Sequence, residues 1–140
     1  MLRHIYHRRV RYRECDPMSV AYHTFYLDYF EEARTEALRE LGLPYKDLEA
    51  SGVIMPVVRA SVQYRASAYY DDILEIETTF EEIPRARVPI SYIVRRRGDE
   101  NHLVATGEVT LCFVDAARGK PIRAPRHVCE IFEGAWPEKL

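Results

Sequence analysis

In "ECDPMSVAYHTFYLDYFEEAR", residues 14–34, a single carboxylate, Asp16, stands directly before Pro17 and ahead of the pair Tyr22–His23, after which aromatic residues recur at helical spacing. A carboxylate can take a proton from water or attack an acyl carbon itself. The unpaired main-chain N–H groups of a helix's first turn carry partial positive charge and can hold the oxyanion that forms. Together they are the tools that metal-free hydrolysis of an activated acyl group requires. Asp-Pro also opens ordinary turns, so on spacing alone the turn role is the simpler reading of Asp16.

His23 could donate through its ring or its backbone, or position water, and it could equally be a packed histidine at a helix start. Tyr22 and Tyr26 could line an acyl pocket, although aromatic side chains beside a helix also build cores. Cys15 adjoins Asp16 in sequence, but alternation along an extended chain turns the two side chains apart, so Cys15 reads as packing. No metal site is expected: His4 and His7, three apart on an extended segment, point to opposite faces, and neither an H-E-x-x-H motif nor a cysteine cluster occurs.

The elements that must hold these groups are legible from periodicity. Residues 8–15 alternate, with Val10 and Tyr12 on one face and Arg9, Arg11 and Arg13 on the other, and predict a strand ending at Asp16–Pro17. Thr24 is the expected N-cap of a helix carrying Tyr26, Tyr29, Phe30, Ala33, Ala37 and Leu41, stopped by Gly42 and Pro44. A short helical turn is expected in "PYKDLEASG". Four alternating runs follow, through Val58–Tyr64, Leu74–Phe80, Val88–Val94 and Leu103–Phe113, separated by turn signals at "YYDD", "EIPR" and "RGDEN" and followed by "DAARGKP". Pro89 predicts an edge or a bulge in the third of these runs. A last helical turn is expected from Arg126 to Phe132. The pattern is α+β, with one long helix against a sheet of about five strands and a sheet edge that a second copy of the chain can extend.

The 140 residues fit one domain, 1–140, with one core. A formal net charge of −2 gives no global attraction to nucleic acid or anionic membrane, and no run approaches the ~18 apolar residues of a membrane span. Three cysteines without a C-x-x-C pair suit a reducing compartment, so a cytoplasmic protein is expected.

The segment "ECDPMSVAYHTFYLDYFEEARTEALRELG" resembles the signature of hotdog-fold acyl-CoA thioesterases of the 4-hydroxybenzoyl-CoA thioesterase family, in which an Asp, a short loop, a Tyr-His or related pair and F-E-x-A-R open the central helix. The resemblance continues through "MPVVRASVQYRASAYYDDILEIET" and "GKPIRAP" and covers nearly the whole chain. Ser19 stands where many members have Gly, and Ser67 where many have Pro.

What the resemblance implies is a hotdog fold, a five-stranded antiparallel sheet wrapped around one long central helix, paired into a homodimer or homotetramer with active sites at the subunit interface. The implied activity is hydrolysis of a small acyl- or aroyl-CoA to free acid and coenzyme A. Asp16 is its nucleophile or general base, and the helix start, including the His23 N–H, is its oxyanion site. Coenzyme A is part of the substrate and no cofactor is expected. Its phosphates need local basic groups, and Arg85 and Arg87 in "PRAR" lie in the turn that binds the nucleotide end in similar members. Nucleic acid would also use such groups, but no matching motif accompanies them. A non-catalytic hotdog module that binds acyl-CoA or a partner protein is the alternative, since fold alone does not fix function. Ser19 in the loop beside the carboxylate is the feature in its favour.

Overall fold

Alternating side chains become strands where one face can be covered, and here a single helix does most of the covering. The computed structural model describes residues 1–98 and 102–137, so the last three residues of the turn expected at "RGDEN" lie outside the described residues. The elements are β1 (Leu2–Arg9), α1 (Phe25–Glu40), α2 (Tyr45–Ala50), β2 (Val53–Ile54), β3 (Val57–Tyr64), β4 (Ile73–Phe80), β5 (Arg87–Arg96), β6 (Leu103–Asp115), β7 (Lys120–Ile122) and α3 (Arg126–Ala135). The architecture is the hotdog fold.

Among the described residues seven strands, not five, form the antiparallel sheet. They fill five rows, because the 13-residue β6 is long enough to serve two partners along each edge. Its Val114 and Asp115 pair with β2 on one side and with β7 on the other. Met55 and Pro56 link β2 to β3, which continues along the first edge from Leu111 to Ala105, while β5 occupies the second. The row order is β1, β4, β5 with β7, β6, and β3 with β2.

The inward face carries Leu74, Ile76 and Phe80 of β4, Val88, Ile90, Tyr92 and Val94 of β5, and Val109, Leu111 and Phe113 of β6, all buried. From α1 come Tyr29, Phe30, Ala33 and Ala37. Phe30 stacks on Tyr92 with centroids 4.3 Å apart and planes 11° from parallel. That stack needs Gly107, since a Cβ there would lie 2.3 Å from the Phe30 ring. Burying a ring of this size stabilises by about 1.5–3 kcal/mol, and the stacking geometry adds about 0.5–1.5 kcal/mol.

Three expectations are corrected. The first strand runs from residue 2 to residue 9, not from 8 to 15; after Val10 the chain turns through one 3₁₀ turn at Tyr12–Glu14, leaving Tyr12 exposed. The cause is Glu14, whose carboxylate accepts the Arg11 N–H at 2.9 Å and curls the segment back on itself. Pro89 lies in a strand flanked on both sides, without a register shift there. It is tolerated because the β4 partners stop at Phe80, opposite Ile90, so on that side Pro89 has no ladder bond to lose. Finally, the expected alternation over Val58–Tyr64 is broken by a register shift between Val57 and Arg59 that leaves Val58 without a ladder partner, and both Val58 and Tyr64 are exposed. β3 is an edge strand that α1 meets chiefly at its Tyr64 end, where Tyr26 packs edge-on to Tyr64.

Candidate active site

Asp16 sits at the mouth of a short loop whose two ends are laced together. Cys15 pairs with Ala21 in an antiparallel bridge, the Asp16 N–H donates to the Val20 carbonyl at 2.9 Å, and the Tyr22 N–H donates to the Glu14 carbonyl at 2.8 Å. The loop is also tied to the segment before β4, through the Ala21 N–H to the Ala68 carbonyl at 2.8 Å and a Val20–Tyr69 bridge. Inside it, Asp16 Oδ1 accepts the Met18 N–H at 2.8 Å and the Val20 N–H at 3.5 Å, an Asx turn. The other carboxylate oxygen, Oδ2, takes no protein hydrogen bond among the described residues. The tight loop puts Ser19 at φ 66, a left-handed conformation in which glycine is the unstrained residue.

Four residues beyond Ala21, at Phe25, the chain enters α1. Thr24 is the N-cap by position but is itself helical, φ −68 and ψ −24, and makes no side-chain cap bond. The Phe25 N–H turns back to the Tyr22 carbonyl at 3.0 Å and the Tyr26 N–H to the His23 carbonyl at 3.4 Å. Among the described residues neither the His23 nor the Thr24 N–H reaches a protein acceptor. Both lie where the dipoles of the 16-residue helix concentrate positive charge. From β3, the Tyr64 hydroxyl donates to the His23 carbonyl at 2.8 Å and so fixes that peptide.

A cavity of about 650 Å³ opens beside Asp16, lined by Tyr12, Cys15, Asp16, Pro17, Ser19, Tyr69 and Tyr70. His23, Tyr22 and Tyr26 are not part of its lining. Tyr22 is exposed and lies against the His23 ring with centroids 4.4 Å apart. Tyr26 is core, edge-on to Tyr64 and Tyr29, its phenol pushed up to about 12 by burial. Cys15 packs against the core, and burial, with the Asp16 charge adding to it, raises its thiol pKa, which keeps the thiolate scarce.

Arg85 and Arg87 are exposed at the β4–β5 turn, beyond the Phe80 end of β4, whereas the Asp16 loop lies at the Ile73 end. Eight residues of strand separate those ends, about 23 Å at the ordinary rise. A chain's own arginines are therefore remote from its own Asp16. His4 and His7 are taken up separately, by Glu40 at 2.6 Å and by Glu75 at 3.5 Å.

The residue missed in the sequence is Glu14, only 3% exposed. Its Oε1 accepts from Arg8 Nη1 at 2.5 Å, from the Arg11 N–H at 2.9 Å and from the Tyr29 hydroxyl at 3.0 Å. Arg8 in turn grips both carboxylate oxygens of Glu32, at 3.0 and 3.1 Å, and lies over the Tyr29 ring. Burial alone would raise the Glu14 pKa, but these hydrogen bonds, led by that from Arg8, hold it below its ordinary value. The available signal was Glu14's isolation: it is the sole acid in the first fifteen residues, among Arg3, Arg8, Arg9, Arg11 and Arg13.

Residues 10–132 match the sequence model of the Thioesterase-like superfamily. The acyl-CoA thioester hydrolase YbgC of Escherichia coli is 35% identical over 126 residues, 89% of this chain and 92% of that protein. The crystal structure of a hypothetical protein from Aquifex aeolicus superposes with a TM-score of 0.84 at 34% identity, over 91% of this chain and 98% of that one. The DHNA-CoA thioesterase of Staphylococcus aureus superposes with a TM-score of 0.82 at 31% identity, over 98% of this chain and 85% of that one.

Proposed function

The chain belongs to the thioesterase-like superfamily, and from that premise we propose that it hydrolyses a small acyl- or aroyl-CoA to the free acid and coenzyme A, with Asp16 as the reacting carboxylate. The observation that carries the reading is local. One oxygen of Asp16 is fixed by loop amides, the other is free, and the same laced segment leads into the unpartnered N–H groups of His23 and Thr24.

In the reaction, water adds to the thioester carbon, its proton ends on the departing sulfur, and the C–S bond breaks. Asp16 Oδ2 acts either by taking the proton from water or by attacking the carbonyl to give an anhydride that water then opens. Both routes end at the same products. General-base help is worth about 10² to 10⁴ in rate. The amides at the start of α1 hold the oxyanion, and one such donor is worth about 2.7–4 kcal/mol. The exposed His23 ring and Tyr22 flank the approach, with Tyr26 behind them as support.

The site is completed by a second copy of the chain. β3 offers eight residues of open edge, with Val57, Val58 and Tyr64 exposed. An unpaired apolar edge of this length favours strand addition. Pairing β3 with its twofold mate sets the Val57 end of one copy against the Tyr64 end of the other. The partner's β5, three strand spacings or about 15 Å away, then brings the partner's Arg85 and the partner's Arg87 toward the His23 end of this chain. That separation suits a substrate as long as coenzyme A, with its thioester at Asp16 and its phosphates at the arginines. The homodimer, or a tetramer built from it, is thus the working unit.

The same reading makes residues 1–140 one thioesterase domain, supported by a single continuous core cluster. Carboxylate and helix start supply the chemistry, so the reading calls for no cofactor. No helix among the described residues is long and apolar enough to cross a membrane. The three free cysteines support a cytoplasmic location.

Asp16→Asn tests the assignment. Thiol release from benzoyl-CoA or a short acyl-CoA should fall at least about 100-fold, the lower bound for loss of a general base, with the melting temperature unchanged. Full activity in that variant ends the assignment.

A further inference from the structure

A buried ion pair is weak evidence for stability, because desolvating the two charges offsets their attraction and a packed apolar set often serves as well. Arg8 and Glu14 are nevertheless both nearly inaccessible, with side chains 8% and 4% exposed. What charged partners do better than apolar ones is fix a single arrangement, since each lone pair and N–H accepts one geometry. The question is which arrangement is being fixed.

Glu14 gathers three directions at one carboxylate oxygen: Arg8 from β1, the Arg11 main chain from the 3₁₀ turn, and Tyr29 from α1. Tyr29 lies just over one helical turn beyond Phe25, where α1 begins, so the bond ties Glu14 to the first part of that helix. The main chain of the same residue closes the loop, for the Glu14 carbonyl receives the Tyr22 N–H at 2.8 Å. The segment bearing Asp16 therefore leaves Glu14 and returns to it one residue before His23. Side chain and backbone of one residue set both the height of Asp16 above the helix and the direction from which His23 enters it.

We propose that Glu14 is a positioning residue for the acyl transfer, holding the Asp16 carboxylate and the His23 amide in mutual register through its bonds to Arg8, the Arg11 N–H, Tyr29 and Tyr22. The proposal rests on the thioesterase reading of Asp16 and His23. Glu14 touches no substrate; it acts through the loop. A misplacement of about 1 Å in such a pair costs on the order of 100-fold in rate while binding is kept. The signature is a fall in kcat with KM retained.

The test compares the intact protein with Glu14→Gln, Tyr29→Phe, Glu32→Gln and the remote core variant Phe132→Leu, assayed by thiol release well below each melting temperature. Glu14→Gln should lower kcat at least tenfold with KM within twofold. Tyr29→Phe, which deletes one hydroxyl from the network, should lower kcat three- to tenfold and supplies the result if Glu14→Gln does not fold. Glu32→Gln should stay within threefold, because the Arg11 and Tyr29 bonds to Glu14 remain. Phe132→Leu should lower stability with kcat unchanged. Wild-type kcat in Glu14→Gln, wild-type kcat in Tyr29→Phe, or an equal loss in Phe132→Leu overturns the proposal. Hydrogen exchange at the amides of Asp16, Ala21 and Tyr22 gives a reading that needs no turnover, and it should quicken at least tenfold in Glu14→Gln or, if that variant is unfolded, in Tyr29→Phe. If the wild-type protein releases no thiol, the thioesterase reading fails by itself, and unchanged exchange would then also refute the positioning role.

Discussion

The Tyr64 hydroxyl hydrogen-bonds the His23 carbonyl at 2.8 Å across 41 residues of sequence, joining the exposed edge strand β3 to the first peptide of α1. That peptide also receives the Tyr26 N–H, so the tyrosine helps to set the tilt of the amides that face the substrate. Tyr64→Phe keeps the ring and removes the bond. A net hydrogen bond is worth about 0.5–1.5 kcal/mol, so the melting temperature should fall by about a few degrees, and if the bond is kept in the transition state kcat for thiol release should drop about two- to tenfold. An unaltered kcat would mean that the edge strand does not steer the helix start.

The same strand predicts an assembly effect. Ala60 lies in the middle of β3, opposite Val109, and is exposed along the open edge. A lysine there would meet its own copy in a twofold pair, and like charges brought together in a buried strand contact are destabilising. Sedimentation velocity should show wild-type dimers or tetramers and monomeric Ala60→Lys, with at least a tenfold loss of hydrolysis. A wild-type monomer that is fully active would remove the shared-site reading.

How much of this was legible in the sequence depended on whether the partners were local. The α1 face, the core side of β4 to β6, and Asp16 before a helix all follow from spacing within one segment. The strand expected over residues 8–15 did not, because the period-two pattern of Val10 and Tyr12 runs on through a turn that only Glu14, held by Arg8 and Tyr29, reveals. Thr24 had the right residue type for a cap, yet its backbone is already helical and its side chain makes no cap bond. Arg85 and Arg87 stood out by charge, while their distance from Asp16 within one chain emerges only from the strand register. The bareness of β3 was likewise invisible, since its alternation is that of a strand with one covered face.

Ser19 offers a stability test that leaves the chemistry in place. Its φ of 66 strains a residue that carries a Cβ by about 1–2 kcal/mol. Glycine relieves this at an unfolded-state entropy cost of about 0.4–1 kcal/mol. Ser19→Gly should therefore be more stable by about 0.5–1 kcal/mol in chemical denaturation. Because the Ser19 N–H still donates to the Asp16 carbonyl at 2.9 Å, kcat should stay within twofold. A loss of stability would show that the serine hydroxyl makes a compensating bond.

Glu14 also gives the protein a defined response to acid. In the folded state its pKa is depressed: burial opposes this, but the Arg8 hydrogen bond, the Arg11 N–H and Tyr29 prevail. A group whose folded value lies below its unfolded one, about 4.3 for Glu, contributes stability that is complete above the unfolded value. That contribution is lost as pH falls through the folded value. Glu14→Gln carries no such proton site, so it should be the less stable protein at pH 7, by less than the ~3–5 kcal/mol of a fully orphaned buried charge, since Arg8 keeps Glu32. Urea denaturation at a series of pH values should show the gap between the two proteins constant from pH 7 to about 5. It should narrow below about 4.3, as the wild-type carboxylate takes up its proton and releases Arg8. A gap that stays the same down to pH 3 would mean that folding does not depress the Glu14 pKa, and the charge-fixed geometry at the Asp16 loop would lose its basis.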